Sequence, residues 1–100
     1  MPMSVVKEME KRPPDIIGHS GDSYDLHHSL LSKGDMRGMS DEQKALIHNP
    51  CNLLKIPHSL HASHNNVPTR QSAYRMLCER EGKANVDAWY LGIAFKVRPF

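Results

Sequence analysis

The sequence lacks the cysteine pattern of a zinc knuckle. Its two cysteines, Cys51 and Cys78, stand far apart and form no Cys-x-x-Cys pair, so they read as ordinary reduced thiols. Aromatic residues are also scarce, at 6% of the 100 residues. A modest core of Leu, Ile and Met is expected, to whose stability a bound metal would contribute. No apolar run approaches transmembrane length, and acidic and basic residues interrupt the opening MPMSVVKEMEKRPPD. A signal peptide needs a continuous apolar stretch there, so a soluble intracellular chain with no membrane partner is expected. An excess of one charge is missing too. Thirteen Lys and Arg against eleven Asp and Glu leave a formal charge of +2, too little to mark a nucleic-acid binder by itself. Internal repeats and low-complexity tracts are likewise absent.

What the sequence does have is histidine, seven in all. Imidazole is the commonest protein metal ligand and the natural base near neutral pH. A chain this short, with 39% hydrophobic residues, supports one compact domain. Its organisation reads as a flexible N-terminal arm over 1–14, a core over 15–69 and a helical C-terminal extension over 70–100. The double proline Pro13-Pro14 sets off the arm, which is helical at most in part.

Within the core, Ser23 to Leu30 alternates as a short strand, with Tyr24, Leu26 and His28 on one face and Asp25 and His27 on the other. Ser40-Asp41-Glu42-Gln43 is a capping-box pattern, predicting a short helix through Ile47 that stops at Asn49-Pro50. Asn52 to Ile56 reads as a second strand ended by Pro57, and His58 to Asn65 as a short helix. In the extension, Ala73, Met76 and Leu77 predict a helix over 70–82. Asn85 then caps a last helix that packs through Val86, Trp89, Tyr90 and Leu91, and Phe95 to Phe100 closes the chain as an extended tail. The mixed charges of Arg70 to Lys83 read as a solvated helix face.

Three features follow in order: the His pair of DLHHSLL (25–31), the Asn of NPCNLL (49–54) and the histidine cluster HSLHASH (58–64). Neighbouring strand residues point to opposite faces, so His27 and His28 divide their labour, one binding an ion and the other transferring protons. His61 and His64, three apart on a helix, lie on one face and suit chelation.

These residues, over roughly Asp25 to His64, resemble the HNH endonuclease family of phages and bacteria. The resemblance implies an α+β fold with a ββα-metal (His-Me finger) core and an activity that hydrolyses DNA phosphodiester bonds, by nicking or otherwise, in a bacterial or phage-infected cytoplasm. It implies His28 as general base, and one divalent ion (Mg²⁺, Mn²⁺, Zn²⁺ or Ni²⁺) held by His27, His61 and a third ligand, His64 with Asn65 in reserve. Asn52 matches the family's central Asn and is expected to orient the base by accepting the His28 Nδ1 proton, with Asp25 as the alternative acceptor. Asn52 also has a plainer reading as a turn residue.

Lys33, Arg37, Lys55 and Arg70, with Arg75 and Arg98 further off, are the candidates for holding DNA phosphates. None of them reads base edges, so sequence specificity is expected to be weak. His19 and His48 carry no assigned role, and His58, directly after Pro57, reads most easily as structural. The rival function is a non-catalytic metal-stabilised nucleic-acid-binding module in which the same histidines only hold the fold. A protein-interaction domain is the third, and it expects no metal dependence.

Overall fold

Two short stretches form the sheet. β1 (Tyr24–His28) and β2 (Leu53–Pro57) pair antiparallel, with His27 opposite Leu54 and Asp25 opposite Ile56. The computed structural model describes residues 1–63 and 66–97, with side chains described through Ile93. Around the sheet lie α1 (Met3–Glu10), α2 (Asp41–Lys44) continued by a 3-10 turn over Ala45–Ile47, a second 3-10 turn over Pro50–Asn52, α3 (His58–Ala62), α4 (Arg70–Glu81) and α5 (Lys83–Val97). The result is a small compact α+β fold. Among the described residues no helix is long and apolar enough to cross a membrane.

Paired residues of an antiparallel ladder share a face. One face therefore carries Asp25, His27, Leu54 and Ile56, and the other Tyr24, Leu26, His28, Leu53 and Lys55. β2 is covered on both faces, which explains its nearly unbroken apolar sequence. Leu54 and Ile56 join Leu77 and Val86 in one core, all four fully buried. Each such side chain contributes about 1.5–3 kcal/mol relative to exposure, enough to hold α4 and α5 against the sheet. A second cluster, Met36, Ile47 and Ile93, is linked to the first by Trp89, which packs on both. The Trp89 indole also donates to the Leu46 carbonyl at 3.0 Å.

On the opposite face α1 seals the sheet. Its Met9 is fully buried, beside a small cavity lined by Val6, Tyr24, Leu26 and Lys55. The segment read as an arm is thus in contact with the rest of the chain. Arg12 clamps Glu81 through two hydrogen bonds of 2.6 and 2.8 Å.

Several boundaries differ from the sequence expectation. The capping box at Ser40 forms as expected, its hydroxyl accepting from the Gln43 amide. Gly82 adopts a φ of +91°, the left-handed region that glycine enters without steric cost, and α5 begins immediately after it. Asn85 therefore lies inside α5, its amide donating to the Glu81 carbonyl at 2.7 Å. The final helix buries Val86 and Ile93 and half-buries Trp89 at helical spacing, whereas Tyr90 and Leu91 are exposed. Residues 95–97, expected as the start of an extended tail, continue α5, because no helix breaker occurs before Pro99. The rest of that tail, including Arg98, lies outside the described residues.

Candidate metal and acid–base site

The strand alternation of β1 decides where its two histidines go. On one face Asp25 accepts from two imidazoles of α3: its Oδ2 lies 2.7 Å from His58 Nδ1 and 2.9 Å from His61 Nδ1. These contacts hold the Asp25 carboxyl below the usual carboxylate range, the His61 hydrogen bond most of all. His27, two residues along the same face, packs edge-on against His61 with ring centroids 5.1 Å apart. Burial first, and the neighbouring His61 second, lower the His27 pKa.

The donor chemistry fits a divalent ion at His27 and His61. A carboxylate on Nδ1 of His61 fixes the tautomer and leaves Nε2 as the ligating atom, the usual outer-shell support of a metal-bound histidine. The two rings lie side by side, their centroids 5.1 Å apart. Among the described residues no group of three or more His, Cys, Asp or Glu forms a complete ligand set. His64 and Asn65, the expected third ligands, lie outside the described residues. His58 stands farther out on Asp25, its side chain 63% exposed.

The other face of β1 presents a different arrangement. His28 Nε2 lies 2.9 Å from His48 Nδ1, with ring centroids 5.0 Å apart. Burial pushes the His28 pKa down to about 4, with His48 and Lys33 adding smaller contributions. His48 is lowered as well, by burial first and then by the N-terminal ammonium and Lys33. Neither expected acceptor touches the His28 ring. Asp25 points to the opposite face, and Asn52 is engaged with backbone.

Asn52 is fully buried and makes four side-chain hydrogen bonds. Its Oδ1 accepts from the amides of Leu30 and Leu31 at 2.8 and 3.0 Å. Its Nδ2 donates to the carbonyls of Leu31 and Ile47 at 2.7 and 2.9 Å. The residue thereby ties the chain just after His28 to the chain just before His48. Its side-chain hydrogen bonds run to two backbone segments and not to the imidazole, which corrects the expected hydrogen bond. The turn carrying Asn52 is pinned in turn by Arg80, which donates to the carbonyls of Pro50 and Leu53 at 2.5 and 2.7 Å and to Asp15 at 2.5 Å. Arg80 and Glu81, read from sequence as part of a solvated face, have side chains only 17% and 13% exposed. One cation every few residues on a charged helix gave no signal of this.

The basic candidates separate into two groups. Lys55 closes the C-terminal end of α1, its ammonium donating to the carbonyls of Met9, Glu10 and Arg12 at 3.3, 3.4 and 2.8 Å. Arg70 grips Asp35 through two bonds of 3.0 and 2.9 Å. Both are committed within the protein. Among the described residues Lys33 and Arg37 are exposed and carry no carboxylate partner, and Lys33 is close enough to lower both His28 and His48. Arg75 is exposed on α4.

His48 is the residue that the sequence reading missed. Twenty positions separate it from His28, and no periodicity joins them. Compared with known proteins, the chain matches no family model, no curated sequence and no solved structure.

Proposed function

We propose that this chain is a metal-dependent endonuclease of the HNH type, hydrolysing DNA phosphodiester bonds from a ββα-metal core made of β1, β2 and α3. The observation that carries the proposal is the partition of two adjacent imidazoles. His27 joins the Asp25-anchored His61 on one face of β1, and His28 joins His48 on the other.

His27 and His61 would hold the divalent ion, leaving coordination positions open to phosphate oxygen and water. When bound, the ion supplies Lewis-acid stabilisation of the charge that develops on phosphorus and on the departing oxygen. His28 belongs to the acid–base half of the site. Its depressed pKa keeps it neutral at pH 7 and so able to accept a proton from water, and an approaching phosphate backbone raises its basicity by offsetting Lys33. Lys33 and Arg37, exposed and without a carboxylate partner among the described residues, would take flanking phosphates, a contact that positions DNA without reading its bases.

Replacing His28 by Ala tests this reading against the metal-stabilised binding module. Cleavage of supercoiled plasmid is expected to fall by about 100- to 10,000-fold, with metal binding and melting temperature nearly kept. Undiminished cutting by that variant, or no cutting by the wild type with Mg²⁺, Mn²⁺, Zn²⁺ or Ni²⁺, defeats it.

A further inference from the structure

The contact between His28 and His48 is built by the fold, because Asn52 fastens Leu30 and Leu31 on one side and Ile47 on the other. Two neutral imidazoles joined in this way hold two N–H protons, one inside the shared bond and one on an outer nitrogen, and the remaining outer nitrogen carries a lone pair. Among the described residues the buried side-chain polar atom without a partner is Arg80 Nε. His28 Nδ1 and His48 Nε2 bond none of the described residues and are not among the buried unpartnered atoms, so among the described residues nothing closes them off from solvent.

His48 fills the in-plane position at His28 Nε2, so water cannot be deprotonated at that atom. We propose that His48 is the second acid–base residue of the site, completing a relay in which His28 Nδ1 receives the proton of the attacking water and His48 Nε2 releases one to solvent. The inference rests on the endonuclease reading above. As the water oxygen bonds to phosphorus, its O–H bond breaks and the proton passes to His28 Nδ1. The Nε2 proton of His28 crosses to His48 Nδ1, and the Nε2 proton of His48 leaves to bulk water. The bond from phosphorus to the departing oxygen breaks, and that oxygen takes one proton from solvent. Protons and charge balance, and each imidazole ends in its other tautomer, which exchange with solvent resets.

Plasmid cleavage in Mn²⁺ by the wild type, His48→Ala and His48→Asn tests the relay. Asn keeps a polar partner for His28 Nε2 but cannot pass a proton onward. Both variants are expected to lose about 100-fold in kcat with KM unchanged, and free imidazole is expected to restore part of the His48→Ala rate. Full activity in either variant, or a His48→Ala loss that imidazole leaves unchanged, overturns the relay and leaves the endonuclease reading standing. A wild type that cuts with none of the divalent ions overturns both.

Discussion

The two faces of β1 present the same residue type to opposite electrostatic company. On the His27 face a carboxylate gathers imidazoles: Asp25 accepts from His58 and His61, and His27 packs on His61. On the His28 face an imidazole meets another imidazole, with Lys33 near and, among the described residues, no carboxylate bonded to either ring. A carboxylate behind an imidazole strengthens it as a ligand for a cation, whereas a second imidazole offers a path for a proton. Identical side chains one residue apart thus meet different neighbours, and the strand supplies the separation.

The sharpest way to break the comparison is to remove one ring from each face. His61→Ala is expected to abolish both metal binding and plasmid cleavage, while His28→Ala abolishes cleavage by about 100- to 10,000-fold and leaves metal binding intact. Calorimetric metal titration beside the cleavage assay distinguishes them; equal loss of metal affinity in both variants would merge the two faces into one site.

Next in size is the residue that holds one face together. Asn52→Ala removes the partner of the buried Leu30 amide and Ile47 carbonyl and of the part-buried Leu31 amide and carbonyl, and unpaired buried groups cost about 1–3 kcal/mol each. A loss of at least about 2 kcal/mol in urea unfolding is expected on that scale. A loss below about 1 kcal/mol would show that Asn52 is an ordinary turn residue. Asp25→Asn should act on the other face alone, weakening metal affinity by about 10- to 100-fold. Unchanged affinity in that variant would remove Asp25 from the support of His61.

The smallest expected effect concerns pH. The folded His28 pKa of about 4 lies below the ordinary 6.5, so the unfolded chain takes up a proton first as pH falls. The stability linked to neutral His28 is complete above pH 6.5 and is lost progressively toward pH 4, with His27 and His48 acting in the same direction. Urea unfolding at pH 7 and pH 5 should show this fall, and His28→Asn should reduce it. A stability that is flat across the window in the wild type would contradict the burial of that ring.

Much of the fold was legible because its signals are local. Alternation placed Asp25 and His27 together and His28 opposite them, the capping box marked α2, and the apolar run from Asn52 to Ile56 marked β2. The end of α5 was misread because Phe95 was taken as a boundary although no breaker precedes Pro99. Of the site, His27 and His61 were legible from the alternation and the helix that follows β2. His48 was not, since its meeting with His28 depends on the loop between β1 and β2 being folded back by Asn52. The partners of Asn52 were not legible: its position suggested a bond to His28, but its four bonds run to backbone groups far apart in sequence, which no residue pattern encodes. The commitment of Lys55 and Arg70 to α1 and Asp35 was hidden for the same reason.

The division of labour between neighbouring imidazoles is tested most directly by anomalous diffraction from crystals grown with Mn²⁺ or Zn²⁺. The expected result is one peak within bonding distance of both His27 and His61 and none between His28 and His48. A peak bridging His28 and His48, or none beside His27, would contradict it.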